Sequence, residues 1–385
     1  MKKNALLAIV VLIISFSAKA SHILGGDITW QKDVNGNFYF TLTLIRDCSG
    51  SAISQSDQIV SWAGGNVQLN FVSKSYIVPS CNTQNCFLKN GGYEVYTYRN
   101  TLPITLTGTP PVTGYDFYWS SCCRPDSAVN VTSSSGESYY IYSKMYQMES
   151  SPGTLYGHPV NARHLGQKQI INSECSKNGL DSLEYFLTSP KTSATINLPF
   201  KSGYSGVNPF PNRGTNAINT DAVMHKKTGI LEVGAVTGMA GKYLYSVSVK
   251  GYKNGQVVSE TNFNNLLYLA PNTLNNAAPT VKIEGSALSG PYAFKELDLR
   301  EGDSISLDIT GYDSDASQSI FAYSYGAFGA TSVSQSTISS IITPAQGQTG
   351  YSSSDSNNLN FNWYPQVGQY PIGDYIFNIE FRDND

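Results

Sequence analysis

The chain is poor in charged residues and lacks the short motifs of common enzymes. Asp, Glu, Lys and Arg make up 14% of its 385 residues, and the basic ones form no patch. Because nucleic-acid binding depends on clustered positive charge, we expect no nucleic-acid partner. The sequence contains no His-Glu-x-x-His and no phosphate-binding glycine loop, and the Gly-Tyr-Ser-Gly stretch at Ser205 lacks the Gly-x-Ser-x-Gly spacing. These absences disfavour an enzyme.

Long apolar runs are also missing, except for one at the N-terminus. Basic Lys2 and Lys3, an apolar block over residues 5–14 and a small-x-small pattern that ends at Ala20 are typical of a secretory signal peptide. No later segment approaches about 18 consecutive apolar residues, so we expect no transmembrane span in the mature chain. We therefore expect residues 1–20 to be cleaved off and the protein to be secreted or held at the cell surface.

Helical periodicity is nearly absent, whereas alternation of apolar and polar residues recurs along the chain. Residues 38–44 alternate Phe and Leu with Tyr and Thr, and they follow Asn35-Gly36, a strong signal for a β-hairpin. A second pair, Asn254-Gly255, joins two further alternating runs. Short strands separated by turns, without helices between them, predict an all-β chain of antiparallel β-sandwiches.

A distant internal repeat indicates how many sandwiches there are. Residues 180–190 align with residues 317–327, and the run that starts at Gly241 aligns with the run that starts at Gly373. The period matches one sandwich, and the polar segment 272–280 has the composition of a linker. We predict a signal peptide over residues 1–20, a disulfide-bearing sandwich over 21–149, a second sandwich over 150–274, and a third over 275–385 that is truncated at its C-terminal end.

Four stretches form a recognisable series. They are Ser-His-Ile-Leu-Gly-Gly from Ser21, Ile-Arg-Asp-Cys ending at Cys48, the Cys-Cys-Arg segment at Cys122, and Glu-Ser-Tyr-Tyr from Glu137. The series resembles the N-terminal region of large secreted cell-surface proteins of the Bacteroidetes. The later sandwiches are similar to the PKD-like or cadherin-like repeats of those proteins, which often end in a gliding-motility-associated or type IX secretion sorting domain. The resemblance implies tandem Ig-like or cadherin-like sandwiches at the cell surface.

The cysteines are candidates for disulfide bonds, because a signal peptide implies an oxidising compartment. They are Cys48, Cys81, Cys86, Cys122, Cys123 and Cys175. Redox chemistry of the adjacent pair is one alternative, and zinc is another, although the spacings are not those of zinc ligands. Neighbouring residues of a strand point to opposite faces, so we expect Cys122 and Cys123 to take different partners. Five cysteines in the first sandwich leave one over, which is either free or linked to Cys175.

Acidic residues near the third sandwich form a candidate calcium site, with solvated turns as the alternative. They are Glu301, Asp313, Asp315, Asp383 and Asp385. Calcium takes about 6 to 8 oxygen ligands, and cadherin-like repeats, which this region resembles, supply them from Asp-x-Asp loops. The match is incomplete, because Ala316 follows where such a loop would continue with further ligands. We expect no other cofactor.

The aromatic residues leave two functions open. Trp62, Trp119, Trp363 and the 26 tyrosines would either fill cores and cross-strand pairs or form a platform that stacks on sugars. We predict a non-enzymatic structural or adhesive protein, an adhesin whose tandem sandwiches present a contact surface to an extracellular glycan or protein ligand. The alternative is a carbohydrate-binding or carbohydrate-active surface protein.

Overall fold

The computed structural model shows a chain built from β-strands. It describes residues 23–47, 52–77, 93–122, 124, 128–132, 137–153, 160–166, 168–234, 237–271, 279–283, 289–290, 300, 303–313, 319–325, 331–335, 340–342, 349–354, 356–363 and 378–382. Within these residues there is no helix, and therefore none long and apolar enough to cross a membrane. The predicted all-β fold class is confirmed.

The strands are numbered in chain order, and the longest connection between the described strands of the large and small sheets runs from β10 to β11 over residues 189–222. The first ten are β1 (Ile23–Lys32), β2 (Phe38–Asp47), β3 (Gln58–Trp62), β4 (Gly65–Ile77), β5 (Tyr93–Arg99), β6 (Tyr115–Ser121), β7 (Tyr139–Met145), β8 (Val160–His164), β9 (Gln169–Asn172) and β10 (Ser182–Thr188). The next six are β11 (Val223–Met224), β12 (Ile230–Val233), β13 (Gly241–Lys253), β14 (Gln256–Ala270), β15 (Thr280–Ile283) and β16 (Ser289–Gly290). The last are β17 (Ile305–Tyr312), β18 (Ser319–Tyr325), β19 (Thr331–Gln335), β20 (Ser340–Ile342), β21 (Thr349–Ser354), β22 (Ser356–Trp363) and β23 (Asn378–Arg382).

In the described part of the chain, most strands from β1 to β14 share one large sheet. Its order is β1-β2-β5-β4-β3-β6-β7-β14-β13-β10, with β8 paired in parallel to β14. Strands β11, β12 and β9 form a small separate sheet. The last region has two antiparallel sheets, ordered β16-β15-β17-β22-β19 and β20-β21-β18-β23.

Strand β14 closes the large sheet onto β1, because both edges of β14 are paired. One edge pairs with β13 along nearly the whole strand. The other edge pairs in succession with β7 at residues 259–261, with β1 at Asn264 and with β8 at residues 266–270. Since β1 is also the first strand of the path, the hydrogen-bonded sheet closes on itself between β1 and β14.

The contact between β1 and β14 requires glycine. A Cβ atom at Gly25 would lie 1.9 Å from the carbonyl oxygen of Asn264, far inside van der Waals contact. A Cβ atom at Gly26 would lie 2.3 Å from the carbonyl oxygen of Thr43 on the other side. The two glycines therefore allow an approach of backbones that a side chain would block.

Both Asn-Gly pairs lie in loops that join antiparallel strands, but the predicted two-residue turn is confirmed only at Asn254-Gly255. A two-residue loop joins β13 to β14, and Asn254 and Gly255 in it have the positive φ angles of a type I′ turn, 50° and 74°. The loop between β1 and β2 is longer and spans residues 33–37. There the carboxylate of Asp33 accepts a hydrogen bond from the backbone amide of Asn35.

The buried apolar side chains of the described residues form four clusters. The first core lies among β1 to β7 and includes Trp30, Phe40, Leu42, Phe117 and Ile141. The second lies between β10, β13 and β14 and the small sheet, and includes Tyr185, Leu231, Val247, Phe263 and Leu267. A third cluster contains Leu24, Ile45, Tyr93, Ala128, Val131, Leu198, Leu244 and Leu266. The last region has its own core of Ile283, Ile309, Ile320, Ala322, Leu359, Phe361 and Phe381.

The boundary predicted between residues 149 and 150 does not interrupt the large sheet. Strand β14 comes from the predicted second sandwich, yet it pairs with β1 and β7 of the first. The junction itself is buried, since the backbone amide of Trp30 donates to the Ser151 hydroxyl over 2.7 Å. The two predicted N-terminal sandwiches therefore share one sheet, where independent sheets were expected.

The internal repeat is reproduced in the strand register. In the first copy, Tyr185 of β10 lies opposite Val249 of β13. The aligned residues of the second copy, Ala322 of β18 and Phe381 of β23, also lie opposite each other. All four side chains are buried. The repeat therefore preserves an antiparallel strand pair in which the residue sizes have been exchanged.

A buried carboxyl group lies next to the closing contact. Asp27 of β1 is 6% exposed, and its Oδ1 atom has no hydrogen-bond partner among the described residues. Burial raises the pKa of Asp27 from 3.8 to about 7, and a hydrogen bond with Thr43 opposes this rise only in part. The carboxyl group is therefore protonated in the folded protein below neutral pH.

Replacing Asp27 by Asn should make the stability of the protein less dependent on pH. The folded state binds the proton more tightly than the unfolded chain, so the stability contributed by protonated Asp27 is complete below pH 3.8 and is lost as the pH rises through about 7. The loss amounts to at most about 1.4 kcal/mol per pH unit. Urea unfolding across this range should show that Asp27→Asn becomes more stable than the wild type as the pH rises. The difference between the two free energies of unfolding should become constant above neutral pH.

The exposed carboxylate of Asp57 provides the control for this measurement. Asp57→Asn should keep the wild-type pH dependence. If Asp27→Asn also kept it, the buried carboxyl group of Asp27 would not be the group that binds the proton.

Candidate functional site

The outer face of five adjacent strands carries a row of charged residues. The strand register places the residues of this row side by side on β6, β7, β14, β13 and β10, in the order Asp116, Lys144, Glu260, Lys250 and Glu184. Their signs alternate, and all of them are half-buried. Opposite charges at paired positions stabilise a sheet, and the alternation leaves no field of a single sign.

A group of tyrosines lies next to the row of charges. Tyr118 pairs with Tyr142 across β6 and β7 and stacks on Tyr140, with ring centroids 5.0 Å apart. The ammonium group of Lys191 lies 4.3 Å from the centroid of the Tyr142 ring, at the distance of a cation–π contact. Tyr140 and Tyr142 are buried, whereas Tyr118 and Lys191 are half-exposed. We call the following residues the tyrosine patch: Asp116, Tyr118, Tyr140, Tyr142, Lys144, Lys191 and Glu260.

Hydrogen bonds hold the two carboxylates of the tyrosine patch. The Tyr140 hydroxyl donates to Oδ2 of Asp116 over 3.3 Å. Glu260 accepts hydrogen bonds from the hydroxyls of Tyr146 (3.1 Å) and Ser248 (2.6 Å). The Oδ1 atom of Asp116 is buried and has no hydrogen-bond partner among the described residues. One acceptor in the patch is therefore unused.

The charged groups of the tyrosine patch are partly removed from water. Burial raises the pKa of Asp116, although the positive charges of Lys144 and Lys191 oppose this rise. Burial lowers the pKa of Lys191, with the negative charge of Asp116 opposing that change. Partly desolvated charges of this kind are common where proteins bind ligands.

The Cys-Cys-Arg segment anchors the backbone beside the tyrosine patch. The guanidinium group of Arg124, which is 1% exposed, donates to the carbonyl oxygens of Ser138 (3.2 Å) and Lys191 (2.7 Å). It also lies 4.0 Å from the centroid of the Tyr139 ring, and the Tyr139 hydroxyl donates to the carbonyl oxygen of Ile23. Arg124 therefore fixes the backbone of Lys191, whose side chain caps Tyr142.

Two cysteines, Cys122 and Cys175, lie in the described part of the chain, and both have structural roles. Cys122 is disulfide-bonded. Its partner is one of the four cysteines outside the described residues, because Cys175 is a free thiol. The possibility that Cys175 links two sandwiches is therefore wrong: its sulfur lies in the second core, 3.8 Å from the Tyr185 hydroxyl. Burial raises the pKa of the Cys175 thiol, which keeps it protonated and unreactive.

The pairings of the remaining cysteines stay a prediction. Cys48, Cys81, Cys86 and Cys123 lie outside the described residues. Mass-spectrometric mapping of the non-reduced peptides tests the prediction that Cys122 and Cys123 take different partners.

The Arg-Asp-Cys stretch is also structural where it is described. Arg46 and Glu94 form a buried ion pair, with Nε and Oε2 2.7 Å apart, and Lys74 lies 3.1 Å from the other oxygen of Glu94. Asp47 lies 3.1 Å from the ammonium nitrogen of Lys242 on β13. This second pair adds an electrostatic contact between the two halves of the large sheet.

Of the three tryptophans considered for a sugar platform, two pack in or against the first core. Trp119 is 7% exposed and belongs to the first core, and Trp62 stacks against Phe117 at 5.3 Å. The side chain of Trp363 is not among those described. Tyr118 supplies half-exposed aromatic surface beside polar groups, as do Tyr39 beside Arg99 and Tyr252 beside Glu184.

The predicted calcium ligands lie mostly outside the described residues. Glu301, Asp315, Asp383 and Asp385 are among these, and only Asp313, directly after β17, is described. No group of three or more His, Cys, Asp or Glu side chains that could hold a metal ion occurs in the described part of the chain. The calcium site stays a prediction.

Reasoning from sequence missed the tyrosine patch. The alternation of Asp116 and Tyr118 with Phe117 and Trp119 already shows which of these side chains point away from the core. The pattern does not show that Lys191 or Glu260 lies beside them, because these contacts depend on which distant strands pair and in which register.

Comparison with known proteins adds little to this description. No family model and no curated protein matches the chain. Among solved structures, the chain is similar to a protein from Corynebacterium diphtheriae that is assigned as membrane anchored. The two share 10% identity over 95% of this chain and 79% of the other, with a TM-score of 0.16. A likeness of this degree carries no argument about function.

Replacing Arg124 by Met should loosen the backbone around Lys191. Met keeps an unbranched apolar side chain but removes every donor, so the carbonyl groups of Ser138 and Lys191 lose their partners at a cost of about 1–3 kcal/mol. We expect a lower free energy of unfolding and faster hydrogen–deuterium exchange in residues 188–198. The exposed Arg213 provides the control as Arg213→Met. Equal exchange in both variants would contradict an anchoring role for Arg124.

Proposed function

We propose that the chain is a non-enzymatic structural or adhesive protein of the cell surface, in which the large sheet presents the tyrosine patch as a contact surface. The observation that supports this most directly is that the patch is built mainly on paired strands. Its residues lie on β6, β7 and β14, and only Lys191 comes from a connecting segment. A surface held by paired strands is organised before it meets a ligand, so binding requires little further ordering.

The residue types of the patch also suit a contact surface. Tyrosine is frequent in binding interfaces, since an aromatic ring offers apolar area and its hydroxyl offers a hydrogen bond. Tyr118 and Lys191 are half-exposed above the buried Tyr140 and Tyr142. The patch therefore has an accessible rim above a packed floor.

The proposed location rests on the sequence and on one disulfide bond. The signal-peptide pattern over residues 1–20 directs export, and the disulfide at Cys122 suits an oxidising compartment. We also propose that the chain is one of the proteins that its sequence resembles, the secreted Bacteroidetes cell-surface proteins of gliding motility and type IX secretion. In such a protein the repeated strand unit of the last region would act as a spacer.

Adhesion of protein-coated beads tests this function. Beads that carry the chain from residue 21 to residue 385 are passed over mucin, collagen and purified bacterial cell envelopes. We expect retention on at least one of these surfaces and a loss of about tenfold or more for Tyr118→Ala, which corresponds to about 1.4 kcal/mol or more of binding free energy.

The matched control is Tyr268→Ala, which removes an exposed tyrosine of β14 outside the patch. It should leave retention unchanged. Absence of retention on every surface, or equal retention of the two variants, would contradict the proposed contact surface.

A further inference from the structure

The charge, hydrogen-bonding groups and aromatic surface of the tyrosine patch point to a ligand class. We propose that the patch binds a neutral saccharide. This inference rests on the proposed function and names the chemistry of the contact that the sheet presents.

The charges of the patch cancel. Asp116 and Glu260 are acidic, Lys144 and Lys191 are basic, and Lys144 is paired directly with both acids in the strand register. A ligand of either sign would meet an equal number of repelling groups. Electrostatic complementarity therefore favours a ligand without net charge over a sulfated, sialylated or nucleic-acid chain.

Acceptors and donors alternate along the patch. The carboxylates accept hydrogen bonds and the ammonium groups donate them. Neighbouring strands, which lie about 4.8 Å apart, carry these groups in turn. Adjacent hydroxyl groups of a sugar ring both donate and accept, so they match such a row.

The aromatic part of the patch suits the apolar face of a sugar ring. Tyr118 is half-exposed and is held in place by its stacking on Tyr140, at an interplanar angle of 19°. Small-ligand sites combine such aromatic surface with a few polar groups that fix orientation. The Lys191 ammonium group lies over the ring of Tyr142, so within the patch a sugar would stack on Tyr118.

Titration of the mature chain with oligosaccharides tests the inference. The probes are neutral cello-, xylo-, malto- and galacto-oligosaccharides, compared with sialylated and sulfated oligosaccharides on an array and by calorimetry. We expect at least one neutral probe to bind with a Kd of about 1 mM or tighter. Tyr118→Ala and Asp116→Asn should each weaken that binding about tenfold or more, measured at a temperature where thermal unfolding shows both variants to be folded.

The controls separate the patch from other tyrosines and carboxylates. Tyr268→Ala and Asp57→Asn change exposed residues outside the patch and should bind like the wild type. Binding of neutral probes that is unaffected by Tyr118→Ala and Asp116→Asn would overturn the inference. Binding of charged probes alone would overturn it as well.

The two proposals can fail separately. If no saccharide binds, but bead adhesion still depends on Tyr118, the contact surface stands and its ligand is not a saccharide. If adhesion does not depend on Tyr118, the proposed function fails, whatever the titration shows.

Discussion

The pairing of strand β14 on both edges is the constraint on which the N-terminal part of the structure depends. One edge of β14 carries β13 and with it the second core, while the other edge meets β7 and β1 of the first core. The backbones approach so closely at Gly25 that a single methyl group would meet the carbonyl oxygen of Asn264. A glycine pair near the start of the chain thus allows the sheet to close.

The tyrosine patch is a consequence of this shared strand. Glu260 reaches Lys144 only because β14 pairs with β7, and Lys250 follows because β13 pairs with β14. Arg124 adds the last component by holding the backbone of Lys191 over the same face. The residues of the patch are therefore distant in sequence, and a shift of β14 by one residue would turn Glu260 toward the second core.

Features that depend on near neighbours could be predicted from the sequence, and features that depend on distant pairing could not. The hairpin at Asn254 follows from a two-residue signal. The sequence also showed that Trp119 alternates with polar neighbours. It did not show that residues 21–149 and 150–274 share a sheet, because nothing local distinguishes a strand that pairs within its sandwich from one that pairs across.

The shared strand implies that the two N-terminal cores unfold together, and hydrogen–deuterium exchange at increasing urea concentration measures this directly. Peptides from β2 report on the first core and peptides from β13 on the second. Because β14 is paired into both, the two sets of peptides should lose protection at the same urea concentration. Loss of protection in β2 while β13 remains protected, or the reverse, would show two independent sandwiches and contradict a single sheet joined by β14.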